Sequence, residues 1–562
     1  MAPSSSDELN SIQHGSVVSK APSKLSDTKL SDTSSNERHE VLSEKPAEAK
    51  AYRDQQAIND RVPTITEDDP EVYAHLGFCY PTWYKWYILS VIFVIQCSMN
   101  FNASIYANGI SGLEEHFGIS AQAARCGQLI FLVAYAFGCE LWAPWSEEYG
   151  RRPILQWSLG LVNLWSIPCA VAPNFGTIMV CRFLGGLSSA GGSVTLGMVA
   201  DMWQPDEQHF AVAYVVFSSV GGAVIGPIVG GFSETYLSWH WVFWLQLIFG
   251  GATQLLHFFT VKETRSTVLM RRYAAKLRKD GNETAYTADE LEKLRVKESG
   301  IWNIDGLPLK EIMLIWTRPF KMFLTEPIVL FLSLLSGFSD ALIFTFLESY
   351  SPVFKQWGFS TIAIGLAFLP LLIGYFIAWF SFFPWFLKQR KMIKNGTDYP
   401  EFRLKWLLFT APLEVVGLIG FAWSSMGPDY NHWIVPLFFS TFVGIANYAI
   451  YMATIDYMVA AYGPYAASAT GGNGFARDFL AGIAALYATP LYTNIGPKPK
   501  NLAYASTILA CLAACVTVPI YVFYWKGPAI RARSKFAQEI SSDREEHSGK
   551  RQASHTPKPE DA

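Results

Sequence analysis

The sequence predicts an all-α membrane protein of twelve transmembrane helices arranged as two six-helix pseudo-repeats. Three observations predict it. Of 562 residues, 51% are hydrophobic and 16% charged, whereas a soluble protein carries about 25% charged residues. From Trp83 onward, nearly uncharged apolar segments recur, each of about 20 residues, the length that crosses about 30 Å of hydrocarbon as helix. Six of them precede a charged stretch from Lys262 to Lys321 and six follow it, which suggests a repeat built around a central path.

Residues 1–75 are rich in Ser, Asp, Glu and Lys and too poor in apolar residues to offset the entropy of ordering, so they read as a disordered cytoplasmic tail. The start, MAPSSSDELN, lacks the basic and apolar regions of a signal peptide, which leaves insertion to the first span. An N-terminal half over 83–262 follows, with apolar segments centred near Val94, Val133, Leu161, Ser188, Val220 and Ile248. Residues 263–322 form a cytoplasmic central loop. The C-terminal half over 323–525 has centres near Ser336, Leu372, Val416, Ile445, Gly482 and Ala513, and 526–562 form a cytoplasmic tail.

Basic residues test this topology, because Lys and Arg collect in cytoplasmic loops. Arg151 and Arg152 follow the second span, and Lys388, Arg390, Lys391, Lys394, Arg403 and Lys405 follow the eighth. The connections VAPNFG, SETYLSWH and SSMGPDYNH, after spans three, five and nine, have none. Both termini are therefore expected in the cytoplasm. The sequons at Asn102, Asn282 and Asn395 then fall within a span or on the cytoplasmic side, where they escape glycosylation.

The net charge of −3 is confined mostly to tails and loops and gives no case for nucleic acid. The eight cysteines show no CxxC spacing, which argues against a disulfide framework or a zinc site. No phosphate-binding loop, metal-ligand spacing or Ser/His/Asp set is present, so no catalytic residue, metal or cofactor is expected.

Polar residues inside the spans are the candidates for function. Glu140 lies about two turns inside span two, with Glu147, Gly150, Arg151 and Arg152 beyond it in the connecting loop. In span four, Arg182, Gly186, Ser189 and Ser193 are spaced to share one helical face. An arginine in hydrocarbon is costly, so Arg182 should face a wet cavity or a carboxylate. Gly222, Gly226 and Gly230 of span five recur every four residues, a pattern that admits a neighbouring backbone, and Pro227 removes a backbone donor between them.

Asp340, at the middle of span seven, either has a permanent partner or takes up protons reversibly. Glu348 lies two turns further on, near the outer surface. Span ten offers Asn447, Tyr451 and Thr454 on one face and Asp456 near the inner end; span eleven offers the adjacent Arg477 and Asp478. Adjacent helical residues diverge by about 100°, so the pair is expected not to neutralise itself on one face, and at least one member should reach another helix.

SEEYGRRP after span two, RFLGGLSSAGG in span four and GGAVIGPIVGG in span five resemble three signature motifs of the major facilitator superfamily. CELWAPWSEEYGRRPILQ, WHWVFW and YGPYAASATGGNGFARD are similar to the fungal drug:proton antiporter group with twelve spans, the multidrug and polyamine-type exporters. The likeness covers about residues 80–530. It implies the major facilitator fold and a cytoplasmic latch between the halves at Glu147, Gly150, Arg151 and Arg152. It also implies proton coupling through Arg182 and Gly186, and an antiporter motif at Gly222, Gly226, Pro227, Gly230 and Gly231. Ala143, Glu148, Gln208 and Ala213 depart from the family pattern: Ala143 and Ala213 replace glycines, and Glu148 and Gln208 replace basic residues.

The resulting expectation is a monomeric, proton-coupled exporter of small apolar or amphipathic compounds in a lipid bilayer, the plasma membrane before the vacuolar or peroxisomal one. Glu140, Arg182, Asp340, Asn447, Tyr451, Asp456, Arg477 and Asp478 are its coupling and cavity candidates. An importer or polyamine carrier of the same fold is the alternative, and a non-transporting sensor a further one.

Overall fold

The computed structural model describes residues 64–65, 69–189, 191–204, 207–282, 285–298, 303–304, 307–498, 500–534 and 536. The first half contains α1 (Thr82–Ser104), α2 (Ala121–Glu148), α3 (Arg151–Ala170), α4 (Phe175–Ser188), α5 (Gly191–Met202), α6 (Gln208–Tyr236) and α7 (His240–Thr260). A connecting segment holds α8 (Ser266–Lys279), α9 (Ala288–Glu298) and α10 (Leu309–Thr325). The second half contains α11 (Pro327–Phe354), α12 (Thr361–Leu366), α13 (Leu369–Lys394), α14 (Pro412–Ser424), α15 (Ile434–Tyr462), α16 (Ala466–Asn494) and α17 (Lys500–Arg531).

Each expected segment centre lies in one of these helices, in keeping with twelve spans. Among the described residues, nine helical runs are long and apolar enough to cross a membrane. Outside that set are α3, the short pair α4 and α5, and α16, which carries Asn473, Arg477 and Asp478. Trp157, Phe259 and Trp525 project outward without cover, as side chains facing lipid do.

Helix ends have local causes. Ser120, Asn174 and Ser360 accept from the N–H groups of Ala123, Thr177 and Ala363 at 3.2, 2.9 and 3.3 Å, satisfying free donors at the starts of α2, α4 and α12. The chain reads Phe117-Gly118-Ile119-Ser120 before α2 and Trp357-Gly358-Phe359-Ser360 before α12. Both glycines take positive φ, 64° and 74°, and close the preceding helical turn. One aromatic-Gly-apolar-Ser turn at equivalent places in both halves is a local trace of the repeat.

Within the halves, α6 packs on α1, α7 on α3, α11 on α16, and α14 on α15 and α17. The halves meet where α2 lies on α16 and where α6 meets α12, α13 and α15. The end of the bundle carrying Arg151 is called the basic end below.

Three expectations shift. The tail boundary near residue 75 moves earlier: Pro70–Tyr73 are helical, Val72 and Leu76 are buried, and β1 (Thr64–Ile65) pairs in parallel with β2 (Tyr286–Thr287). The rest of that tail, and most of the C-terminal one, lies outside the described residues. The central loop is largely helical, because its charges alternate with residues such as Val268 and Ala274 that find cover. Span four is not one helix. It stops at Ser188, Ser189 is extended, and α5 begins at Gly191, so Ser189 does not continue the face that Arg182 and Gly186 share on α4; the side chain of Ser193 lies outside the described residues.

Candidate functional site

A cavity of about 1060 Å³, mouth included, lies between the halves and runs from mid-bundle toward the basic end. Its polar wall is built by Tyr135 and Glu140 of α2, Tyr451 of α15, and Arg477 and Asp478 of α16; Glu147, Arg151 and Gln208 lie nearer the mouth. Much of the remaining lining is small and apolar, including Ala143, Gly197, Ala200 and Ala467.

Arg477 is the hub. Its Nε lies 3.8 Å from Asp340 Oδ2, its Nη2 3.6 Å from Asp478 Oδ1, and its Cζ 3.9 Å from the centre of the Tyr451 ring. The same Nη2 donates to Ser219 Oγ of α6, in the other half, at 3.5 Å. The expectation that adjacent Arg477 and Asp478 would not pair is corrected, because the long guanidinium stem folds back across the helix surface. The expectation that one of them reaches another helix holds: Arg477 reaches three. Both carboxylates sit beyond hydrogen-bond length from one shared cation, an arrangement that a proton or a charged ligand can redistribute.

Glu140 is buried in the cavity wall and packs against Gly471 of α16. A Cβ on Gly471 would sit 2.4 Å from Glu140 Oε2, so glycine there makes room for the carboxylate at the junction of the halves. Asn447 lies further from the cavity and donates to Ser339 Oγ at 3.2 Å. Asp456 stands apart from this group. It lies 3.3 Å from Arg403 Nε and 3.7 Å from His209 Nδ1, which tie it to the basic end.

The loop at Glu147–Arg152 is tied to its own half. Arg151 donates from Nε to Asp201 Oδ2 at 3.0 Å and from Nη1 to Ser146 Oγ at 2.6 Å, with Glu147 at 3.8 Å. The N–H groups of Arg151 and Arg152 donate to the two oxygens of Glu263 at 2.9 and 3.3 Å, which caps α3. Gly150, at φ 104°, lets that carboxylate approach. Glu148, where the resemblance has a basic residue, pairs with Arg271 and Lys293 of the connecting segment. Contacts across the halves at this end are made instead by Glu207 with Arg390 and by His209 with Asp456. At the opposite end, Arg125 Nε donates to Glu348 Oε2 at 2.7 Å.

Among the described residues, Arg182 has neither a carboxylate partner nor a place in this cavity. Its guanidinium donates to the carbonyls of Gly127 and Asn102 at 3.2 and 3.0 Å and lies between the rings of Tyr106 and Phe131, at 4.4 and 4.1 Å. Two π faces and two carbonyl dipoles replace the expected counter-ion. The glycines of α6 face α1 and the turn after it: a Cβ on Gly222 would lie 2.7 Å from Cys97 O, on Gly226 1.9 Å from Ser104 Oγ, and on Gly230 2.2 Å from Asn108 Oδ1. Gly231 and the Pro227 carbonyl instead face α12 of the other half, at Thr361 and Gly365.

Sequence reasoning did not single out Asp201, Glu263, Arg125, Ser339 or Glu414. Their partners lie in distant elements, and nothing in local spacing marks them. Only Glu414, an acid inside an apolar segment, carried a readable signal.

Two helical halves around a polar-walled cavity define a membrane carrier for small molecules. The chain belongs to the Major Facilitator Superfamily, whose family model matches residues 92–486. It is 33% identical over 491 residues to the transporter paaT of Penicillium rubens, covering 86% of this chain and 84% of that protein. It is 29% identical to the major facilitator superfamily multidrug transporter FLU1 of Candida albicans, covering 84% and 77%. Among solved structures, the xylose transporter XylE from E. coli, in a partially occluded inward-open conformation, superposes with a TM-score of 0.52 at 15% identity, covering 79% of this chain and 99% of that one.

Proposed function

We propose that this carrier exports small apolar or amphipathic compounds in exchange for protons, by alternating exposure of the central cavity to the two membrane faces. The observation that carries the reading is the Arg477 hub: Asp340 and Asp478 share one cation, Glu140 lines the same cavity, and the cation also bonds to Ser219 of the opposite half. A proton arriving on one of these acids weakens its attraction for Arg477 and frees the guanidinium to change its bond to Ser219. Charge state and inter-half contact are thus linked through one side chain.

Small apolar lining suits compounds with an apolar body. The outward direction is supported by the antiporter-like glycines of α6 and by similarity to a relative named as a multidrug transporter. The basic loops favour a cytoplasmic basic end, and the plasma membrane is the membrane proposed. The test is transport by the full chain in sealed vesicles under an imposed pH gradient, with candidates chosen from a deletion strain's toxicant sensitivities. Asp340→Asn is expected to uncouple flux from the gradient while facilitated exchange continues; gradient-driven flux at the wild-type level in that variant would reject the role.

A second reading, a proton-linked carrier of polyamines or other organic cations, is favoured by the acids, since Asp340 and Asp478 flank Arg477 and Glu140 lines the same cavity. Spermidine competition against a neutral substrate separates the two.

A further inference from the structure

Another acid lies in the second half, outside the cavity and outside every motif. Glu414, in the first turn of α14, is fully buried. Ser339 of α11 donates to its Oε1, and because Asn447 of α15 donates to Ser339 Oγ, the serine proton is directed to the carboxyl group. Its Oε2 has no hydrogen-bond partner, and among the described residues Glu414 makes no ion pair.

The helix start offers it little help. A short helix, Leu407–Thr410, leads into α14, so the N–H groups of Ala411 and Glu414 already bond to the Leu407 and Ala411 carbonyls at 2.9 and 3.0 Å. Charged groups on the packed elements are engaged elsewhere or exposed. On α11, Asp340 faces Arg477 and Glu348 pairs with Arg125; on α15, Asp456 pairs with Arg403; on α17, Arg531 pairs with Glu401, and Lys500 and Lys526 are exposed. Of the tyrosines there, Tyr448 donates to Ala213 O and Tyr521 to Leu408 O, whereas the buried Tyr350 and Tyr457 hydroxyls have no hydrogen-bond partner among the described residues. A carboxylate ion at this position lacks a counter-charge, and burying one unpaired is strongly unfavourable.

We propose that Glu414 binds a proton in the conformation described here and releases it when α11, α14 and α15 repack during the transport cycle. In the release step the carboxyl O–H bond breaks, its electron pair stays on Glu414, and the proton passes to water admitted by the repacking. Ser339 and Asp340 are consecutive on α11, so a shift of that helix moves the contact to Glu414 and the contact to Arg477 together. The site rests on the proton-coupled reading only for its consequence, since the proton can be observed without transport.

The test is infrared difference spectroscopy of the reconstituted full chain, stepping pH and then adding a transported compound. A protonated-carboxyl band is expected that changes on both steps, is lost in Glu414→Gln, and shifts in Ser339→Ala, which removes the donor and keeps the acid. Glu414→Gln is further expected to flatten the pH dependence of exchange. A band that survives in Glu414→Gln, fails to shift in Ser339→Ala, or stays constant across both steps, as a permanently protonated structural acid would, overturns the proposal. Flux indifferent to the pH gradient alongside a responsive Glu414 band would reject proton coupling and leave this site standing.

Discussion

Gly471 and Glu140 face each other where the two halves touch, and neither is informative by itself. Glu140 was legible as an acid interrupting an apolar run, whereas Gly471 is one of several glycines in α16, and its need follows only from the carboxylate opposite. A methyl group at 471 displaces that carboxylate. Gly471→Ala is therefore expected to lower exchange at least tenfold, corresponding to about 1.4 kcal/mol on the barrier, and to do much less when Glu140→Ala has already removed the acid. Equal losses in the two backgrounds would show that Gly471 serves helix packing instead. Arg182 teaches the complementary lesson: its burial was foreseeable from hydropathy, but its rings and carbonyls come from α1, α2 and the α1–α2 connection and could not be read from span four.

At the level of elements, α3 depends on a residue more than a hundred positions away. Glu263 caps it through the N–H groups of Arg151 and Arg152 and also accepts from those of Thr264 and Arg265 at 2.9 and 3.0 Å. Replacing it with Ala should destabilise the protein by about 1–2 kcal/mol, seen as a lowered thermal midpoint in detergent, with Glu263→Gln intermediate because one oxygen remains. An unchanged midpoint in both would mean that water satisfies those donors. The motif GRRP marked this corner in the sequence, but its closing partner lies at the end of α7 and joins it only because α7 packs on α3. The break between α4 and α5 was likewise hidden, since SSAGGS reads equally as the small-residue face of a continuous helix.

Across the whole molecule, the halves are fastened at both ends, with an Arg–Glu ion pair at each. Arg125 with Glu348 and the close approach of Gly231 to Gly365 hold the end away from Arg151; Glu207 with Arg390 and His209 with Asp456 hold the basic end. Alternating exposure requires at least one of these fastenings to part. A Gly231→Cys, Gly365→Cys pair, made in a background lacking the exposed Cys79, Cys511 and Cys515, is expected to cross-link under mild oxidation and stop exchange, with recovery on adding dithiothreitol. A Cβ on Gly231 would lie 3.5 Å from the Gly365 Cα, and one on Gly365 3.4 Å from the Gly231 Cα, which puts the two positions within reach of a disulfide. Full exchange in the oxidised pair would mean that α6 and α12 stay together throughout the cycle.

Sequence alone determined the class of fold, the order of its helices, the family motifs and most of the buried charges, because crossing hydrocarbon imposes a length and an apolarity that composition displays directly. Tertiary structure decided the partners. It placed Asp340 with Arg477 and Asp478, removed Asp456 from that group, tied Arg151 to Asp201 within one half, and set Glu414 against Ser339. The physical reason is range: helix periodicity fixes which face a residue occupies, but an ion pair needs a few ångströms, and only the packing of helices far apart in the chain supplies them.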